Sequence, residues 1–234
     1  MTKIKYTRGL VLTQDFFSMP SIQSANGDFE LLSEVQANNY TEDRQWLSSV
    51  CMLSSDKIAI AWESDGQDGS GAGIYASVFN VTSYESITGE FQVNDHITGD
   101  QRLPSICALS KDIFAVTWRD NGIYTKVFNA KTGNNITSEF QAANDGTWPS
   151  SCALSNDIFA VTWQDHDRGG IYANVFNATI GKNITNDILV NVYIQPPHRP
   201  QEFPSICALS NNSFVVAWNS WDQIEGTIEP IGNN

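Results

Sequence analysis

The stretch "PSICALSKDIFAVTW", Pro104–Trp118, decides the fold because the chain repeats it. Close copies are "PSSCALSNDIFAVTW" at Pro149–Trp163 and "PSICALSNNSFVVAW" at Pro204–Trp218, and a looser copy, "SSVCMLSSDKIAIAW", lies at Ser48–Trp62. The tryptophans that end these copies are 56, 45 and 55 residues apart. Periods near 40–50 residues are typical of the four-stranded blades of a β-propeller.

One complete repeat contains four strand-like runs, "SICALS", "IFAVTW", "IYTKVFN" and "SEFQA", with turn-forming Asp, Asn and Gly between them. This pattern predicts an antiparallel meander. The second run has apolar or small residues on both of its faces, whereas the fourth is half polar. Burial that falls from the inner to the outer strand is what a propeller blade requires. A parallel solenoid would need shorter coils without hairpin turns, and a sandwich would not repeat so strictly.

The two ends of the chain complement each other. After Trp218 no "SEFQA" run follows, whereas "SEVQANN" (Ser33–Asn39) is a fourth strand without a blade before it. We therefore predict an all-β fold, a four-bladed β-propeller of four-stranded antiparallel blades, in which the N-terminal strand completes the C-terminal blade beside Gly226–Ile231. Full pairing removes exposed sheet edges. The alternative is an open arc whose ring is completed by another chain.

The repeat also predicts the domain organisation. Residues 1–28 match no repeat and form an N-terminal segment, and residues 29–234 form a single propeller domain. The predicted blades cover residues 46–98, 102–145, 147–195, and 203–234 together with 29–38.

Composition restricts the partners. The 234 residues have a formal net charge of −13 and a pI near 4.4, which excludes sequence-independent attraction to nucleic acid or anionic membranes. No apolar run is long enough to predict a membrane span, and the N-terminus predicts no cleavable signal peptide. The four cysteines occupy equivalent repeat positions, which favours four buried free thiols, suited to a reducing compartment, over disulfides.

One part of the sequence resembles a known repeat. "AWESDGQDGSGAGIYASVFN", followed by "GEFQVNDHITGDQRLPSICALS", is similar to the tandem propeller-like repeats of long bacterial surface and secreted proteins, which often also carry hemolysin-type calcium-binding repeats. The resemblance covers Ser33 to Trp218. It implies a propeller-like fold, a role in adhesion or recognition, and an extracellular or cell-surface location. This chain departs from the pattern by its cysteines and by the loss of most of "SDGQDGSGAG" from the later repeats.

Two Asp- and Gly-rich loops are candidate calcium sites. "ESDGQDGSGAG" (Glu63–Gly73) offers Asp65 and Asp68, and "QDHDRGG" (Gln164–Gly170) has the corresponding residues Asp165 and Asp167. Carboxylate and carbonyl oxygens are the ligands of hard cations. The alternative is a pair of hairpin turns without metal, because Asp and Gly also favour turns.

The loops that precede each blade form a second candidate site. "TEDRQW", "TGDQRL", "NDGTW" and "HRPQEF" should cluster on one rim, and they combine polar side chains with aromatic rings, as sugar-binding sites do. The aligned Leu47, Leu103, Trp148 and Phe203 are predicted to fill the space between blades. The predicted ligand-binding residues are Asp43, Arg44, Trp46, Asp100, Gln101, Arg102, Asp145, Arg199 and Gln201.

The sequence indicates binding and not catalysis. Its three histidines lie in non-equivalent loops, and no nucleophile-elbow, zinc-protease or phosphate-loop motif is present. We predict a non-catalytic module that recognises carbohydrate or a protein surface. One alternative is a structural protein that assembles into a homo-oligomer or larger array. A second is a glycoside hydrolase that uses a carboxylate pair across two blades, although the sequence does not identify the pair.

Overall fold

The fold was determined as a computed structural model that describes residues 21–25, 28–33, 35–191, 200–209 and 213–220, with only the backbone described up to residue 33. Within these ranges all regular secondary structure is β, and all the strand pairs are antiparallel. The predicted all-β fold of four-stranded antiparallel sheets is confirmed. In this part of the chain no helix is long and apolar enough to cross a membrane.

Four successive sheets, here called blades 1 to 4, follow the sequence repeats. Blade 1 contains β3 (Gln45–Ser54), β4 (Lys57–Asp65), β5 (Ala72–Asn80) and β6 (Phe91–Gln92), paired in that order. Blade 2 contains β7 (Arg102–Ser110), β8 (Ile113–Asp120), β9 (Gly122–Asn129) and β10 (Phe140–Ala143), also paired in that order. 

Blade 3 has β11 (Thr147–Ala153), β12 (Ile158–Asp165) and β13 (Gly170–Asn177), and β13 pairs with both β14 (Lys182–Asn183) and β15 (Ile188–Leu189). In blade 4 the described strands are β16 (Gln201–Ala208) and β17 (Phe214–Ser220). Before blade 1, β1 (Ser21–Ala25) and β2 (Asp28–Ser33) form a hairpin.

The second strand of each of the first three blades is buried on both faces. Ala59 and Trp62, on opposite faces of β4, are fully buried, as are Ala160 and Trp163 in β12. Apolar and small side chains at alternate positions permit this because both faces are covered: blades 2 and 3 each lie between two blades, and blade 1 lies between blade 2 and residues 35–39. Each Å² of apolar surface that is removed from water on either face stabilises the folded state by about 25 cal/mol.

Consecutive blades pack through one repeated interface. Ala61 and Val78 of blade 1 lie in a buried cluster with Val116 and Trp118 of blade 2. Equivalent clusters join blade 2 to blade 3 and blade 3 to blade 4. We call the side of each blade that meets the following blade its forward face, and the side that meets the preceding blade its rear face.

A serine hydrogen bond marks each of these interfaces. The backbone N–H of Ile106 donates to Ser49 Oγ at 3.2 Å, that of Ser151 to Ser105 Oγ at 3.0 Å, and that of Ile206 to Ser150 Oγ at 3.3 Å. The three serines occupy one repeat position, and the three N–H donors occupy the next. The first strands are therefore neighbours in chain order.

Residues 35–39 lie against blade 1 as the outer strand of one blade lies against the next. The N–H of Asn39 donates to Glu90 Oε2 at 2.6 Å, and the N–H of Asp95 donates to Glu139 Oε2 at the same distance. Ala37 packs in the cluster of Trp62, as Val93 packs in that of Trp118. This segment therefore takes the outer-strand position before blade 1. Its predicted pairing beside residues 226–231 lies outside the described residues.

Each first strand contains a bulge with a bulky residue in the left-handed region. Leu47, Leu103, Trp148 and Phe203 have φ between 46° and 58°, next to a shift of register. Such residues rarely adopt positive φ. Leu47, Trp148 and Phe203 are 39, 38 and 47 % exposed, so they are not fully buried. The Trp148 and Phe203 rings nevertheless meet between blades 3 and 4, with their centroids 4.9 Å apart, as the prediction requires.

The four cysteines are free thiols, as predicted. Cys107 and Cys152 are buried, and burial raises their pKa values to about 12 and about 11. Cys51 is half-buried and Cys207 is exposed. Burial of all four thiols was therefore a wrong prediction, and the exception at Cys207 lies on the forward face of blade 4.

Candidate functional site

A cluster of charged side chains surrounds one tryptophan at the rim between blades 1 and 2. Asp65, at the end of β4, donates its N–H to the Arg44 carbonyl oxygen at 2.9 Å, which brings the loop before β3 beside the end of β4. The start of β7 in blade 2 adds the remaining members. We call the cluster the Trp46 site, and it comprises Arg44, Trp46, Glu63, Asp65, Asp100 and Arg102.

Two guanidinium groups lie over the Trp46 ring. Arg44 Cζ is 5.0 Å and Arg102 Cζ is 5.3 Å from the ring centroid, within the range of cation–π attraction. Arg44 Nε is 3.1 Å from Asp65 Oδ2, and the Arg44 side chain is 60 % exposed. The terminal nitrogens of Arg44 are therefore presented to solvent beside a half-buried indole ring.

Glu63 anchors the inner side of the site. Its carboxylate is fully buried, accepts the Leu103 N–H at 2.5 Å and lies 3.1 Å from Arg102 Nη1. Burial raises the pKa of Glu63 to about 7, against the opposing effects of the Leu103 N–H and the Arg102 charge. Because Arg102 and the backbone at Leu103 both bind this carboxylate, Glu63 fixes blade 2 against blade 1 at the site.

Asp100 supplies an exposed acceptor on the opposite side. Its Oδ1 accepts the Ala72 N–H at 3.0 Å, its Oδ2 is 3.3 Å from Arg102 Nη2, and the side chain is 54 % exposed. The Ala72 N–H, followed by the Arg102 charge, lowers the Asp100 pKa. Gly71 is required here because a Cβ at that position would collide with Asp100 Oδ1.

The arrangement combines donors, acceptors and an aromatic ring on one surface. Arg44 offers N–H donors, Asp65 and Asp100 offer carboxylate oxygens, and Trp46 offers an apolar ring. Convergent polar groups beside an aromatic side chain can orient a hydroxylated ligand that also has an apolar face. Four of the predicted ligand-binding residues, Arg44, Trp46, Asp100 and Arg102, meet here with Asp65, whereas Glu63 was not predicted.

The two described glutamines that were predicted to bind ligand are buried and bond to other protein groups. Gln101 is fully buried, and its side-chain amide lies 3.0 Å from that of Asn94. Gln201 is also buried, with Oε1 accepting from Trp218 Nε1 at 2.8 Å and Nε2 donating to Ser220 Oγ at 2.9 Å. Gln101 therefore lies in the connection from blade 1 to blade 2, Gln201 bonds within blade 4, and neither side chain belongs to the Trp46 site.

The other predicted ligand-binding residues lie away from the tryptophan. Asp145 Oδ2 accepts the N–H groups of His166 and Asp167 at 3.1 and 3.2 Å, which is a turn-stabilising arrangement. Asp43 is exposed and lies beside Gly66. Arg199 lies outside the described residues.

The predicted calcium ligands are placed in separate contacts. Asp65 lies between Arg44 and Arg102, and Asp165 lies 2.6 Å from Arg168 Nη2, so a cation there would compete with a guanidinium group. Asp68 accepts the Ser70 N–H at 3.0 Å, and Asp167 is exposed. Among the described residues, no three His, Cys, Asp or Glu side chains are grouped for a metal. Calcium binding stays a hypothesis.

A concave pocket lies at the corresponding rim between blades 3 and 4. Its lining includes Gln164 and Glu202, which occupy the repeat positions of Glu63 and Arg102, together with Asp165, His166 and Gln201. It lacks an aromatic ring with arginines over it. The Trp46 site, where two arginines lie over an aromatic ring, is therefore the better defined candidate.

Comparison with known proteins supports the fold class. No family model matches the sequence, and no curated protein matches it. Among solved structures, the chain is similar to a mutant of the NanB sialidase from Streptococcus pneumoniae, with a TM-score of 0.52 and 12 % identity. The match covers 88 % of this chain and spans 39 % of the sialidase chain. The likeness shows a β-propeller-like fold.

Proposed function

We propose that the chain is a non-catalytic binding module that recognises neutral glycans at the Trp46 site. The observation that carries the proposal is the Trp46 ring with Arg44 and Arg102 over it and Asp65 and Asp100 beside it. A pyranose ring can pack its apolar face on an indole while its hydroxyls bond to carboxylates and guanidinium groups.

Charge favours a neutral ligand over an acidic one. The chain carries a net charge of −13, and at the site the Asp65 and Asp100 carboxylates already pair with the two guanidinium groups, while the Glu63 carboxyl group is buried. An anionic ligand would meet this field as it approached. Sugar hydroxyls both donate and accept, so they match the mixed groups without adding charge.

A hydrolytic function is less well supported by this geometry. The structural neighbour is a sialidase, and the raised pKa of Glu63, about 7, lies in the range of a general acid. However, the Glu63 carboxylate is fully buried and occupied by the Leu103 N–H and Arg102. A glycoside hydrolase needs two carboxyl groups that face the bond to be cleaved. We therefore propose binding without turnover.

The experiment is a glycan array followed by titration calorimetry on the best neutral ligand. We expect Trp46→Ala and Arg44→Ala each to weaken binding about tenfold or more. The first removes the aromatic packing surface, and the second removes hydrogen bonds to a charged group, which contribute about 1.5–3 kcal/mol, whereas about 1.4 kcal/mol is already tenfold. Arg168→Ala is the matched control, because Arg168 also lies over a ring, that of Tyr172, and pairs with carboxylates in blade 3. It should bind as the unsubstituted chain does.

The outcomes separate the candidate functions. Neutral-glycan binding that is lost in both variants and kept in the control supports the proposal. Absence of any glycan ligand, or equal loss in all three variants, contradicts it. Release of sugar from a glycoside substrate at a rate that falls in Glu63→Gln would favour the hydrolase instead.

A further inference from the structure

The repeated blade interface has two unused halves in this chain, one at each end of the series. Within the described residues, nothing covers the forward face of blade 4, and the rear face of blade 1 is exposed near the first strand. We call these the forward end face, formed by Cys207, Val215 and Ala217, and the rear end face, formed by Val50 and Met52.

The rear end face exposes apolar side chains that the equivalent blades bury. Val50 is 63 % exposed, whereas Ile106 and Ile206, at the same repeat position, are 6 and 8 % exposed because each packs against the preceding blade. Met52 is 71 % exposed. Two large apolar residues side by side on a first strand are an unused contact surface.

The forward end face shows the complementary pattern. Val215 is 49 % exposed, whereas Ala115 and Ala160 at its repeat position are fully buried. Cys207 is exposed, whereas Cys107 is buried. Each exposed position here is one that a following blade covers elsewhere in the same molecule.

Within the described residues, the serine hydrogen bond that joins successive blades is not formed at either end of the series. Ser49, Ser105 and Ser150 each accept an N–H from the next blade. Ser205 is the next serine in this series, is exposed, and accepts no such bond within the described residues. At the other end, Val50 occupies the position of the donors.

We propose that the forward end face of one copy packs against the rear end face of a second copy of this chain, head to tail. In the part of the chain that the structure describes, both faces are exposed at once, so blade 4 leaves the rear end face of blade 1 uncovered in its own copy. The three interfaces inside the chain show that these residue positions fit one another. In two copies related by a two-fold axis, the forward end face of each copy packs against the rear end face of the other, so no end face stays exposed.

Two copies give a ring of eight blades, which is within the range of four to eight blades typical of propellers. The inference does not depend on the Trp46 site, which lies between blades 1 and 2 of one copy. Failure of glycan binding would therefore leave it intact, and its own failure would leave the proposed function intact.

The test combines light scattering on a sizing column with thiol labelling of the full chain. We expect a mass twice the 25.9 kDa of one chain and no rapidly labelled thiol, because the interface covers Cys207 and the other three thiols are buried or half-buried. Met52→Lys and Val215→Lys should each give a species of single-chain mass with one reactive thiol. Ser205→Ala should weaken association several-fold.

Ile180→Lys is the control, because Ile180 is 62 % exposed on blade 3 and belongs to neither end face. It should associate like the unsubstituted chain, and unchanged circular dichroism in all variants would show that they fold. A single-chain mass with Cys207 protected would mean that the chain closes on itself and would overturn the proposal. A single-chain mass with Cys207 reactive, or association that survives both lysine substitutions, would overturn it as well.

Discussion

The Glu63 carboxyl group is buried, and this burial makes the free energy of unfolding depend on pH. Burial raises the pKa of Glu63 from an ordinary 4.5 to about 7, so the folded chain holds a proton that the unfolded chain has lost. The unfolded state is thus favoured progressively as the pH rises from about 4.5 to about 7, and the effect is constant above that. One pKa unit corresponds to about 1.4 kcal/mol, so the loss of stability is at most about 3 kcal/mol.

We expect Glu63→Gln to flatten this part of the stability profile. The measurement is urea unfolding of both proteins at pH 5, 6, 7 and 8, and the difference in unfolding free energy between them should change steadily up to about pH 7. Glu85→Gln, at an exposed position, is the control. Parallel profiles for the unsubstituted chain and Glu63→Gln would show that burial does not hold the Glu63 proton.

At the residue scale the sequence predicted four of the six residues of the Trp46 site as ligand-binding and a fifth, Asp65, as a metal ligand. Arg44 and Asp100 precede the aligned first strands, and Trp46 and Arg102 lie at the starts of these strands, so the repeat itself placed all four on one rim. Glu63 was not predicted because it lies within an apolar strand, and the apolar pattern gives no indication of a functional carboxylate there. The available signal was the repeat position directly after the repeated tryptophans, which is polar in all four copies: Glu63, Arg119, Gln164 and Asn219.

At the scale of the element, one glycine controls the start of blade 3. Gly146 has φ of +147°, and a Cβ there would lie 2.5 Å from Cδ1 of the buried Trp163. We expect Gly146→Ala to reduce the unfolding free energy by about 2–5 kcal/mol, the sum of the strain of positive φ and of overpacking.

Gly69→Ala is the matched control for this prediction. Gly69 also has positive φ, +85°, but a Cβ there would meet nothing within 4 Å. It should cost only about 1–2 kcal/mol, since only the backbone is strained. Equal losses in the two variants, measured by urea unfolding, would mean that the contact with Trp163 is not tight.

A second element-scale prediction concerns the serine bonds between first strands. Ser105→Ala removes the acceptor of the Ser151 N–H, which lies at an interface between two blades. We expect a loss of about 1 kcal/mol in unfolding free energy. Ser83→Ala, in an exposed turn after β5, should change it little. If Ser105→Ala lowers the unfolding free energy no more than Ser83→Ala does, the serine hydrogen bond does not stabilise the packing of the blades.

The strands were predictable from the sequence, but the bulges were not. Alternating apolar residues and Asp–Asn–Gly turns recur in every repeat, so each strand was predicted several times over. Leu47, Leu103, Trp148 and Phe203 adopt positive φ without a glycine to signal it. Aligned apolar residues read as buried fillers, whereas the bulge turns three of them partly towards solvent.

At the scale of the whole molecule, net charge and apolar end faces predict opposite salt effects on the two proposed interactions. Two copies that each carry −13 repel each other, whereas Val50, Met52 and Val215 are uncharged. Raising the salt from about 0.02 M to about 0.3 M shortens the range of that repulsion to less than 10 Å. We expect association between copies to strengthen and glycan affinity to weaken or stay constant. Association that dissociates with added salt would point to a charged interface.

Metal removal tests the calcium hypothesis at the same scale. The contacts of the Trp46 site are side chains that bind one another, and Asp65 is held by arginine. We therefore expect glycan affinity and melting temperature to be unchanged by a chelator. A fall in either that added Ca²⁺ restores would make the Asp65–Asp68 loop a metal site.

The curvature of the whole arc was the least predictable feature. A repeat predicts how each blade meets the next, but a small change of angle at each interface decides whether a series closes on itself. Among the described residues, Val50, Met52 and Val215 are exposed at positions that other blades bury or half-bury. Their repeat positions could be read from the sequence, whereas their exposure could not.

The most direct test of the functional claim is the indole N–H spectrum of the ¹⁵N-labelled chain during titration with a glycan found on the array. Trp46→Phe identifies the Trp46 signal, and Trp62, Trp118 and Trp163 serve as internal references because all three are buried. We predict that the Trp46 signal shifts in a saturable manner while the three buried signals stay in place. A glycan that binds without moving the Trp46 signal would contradict the account.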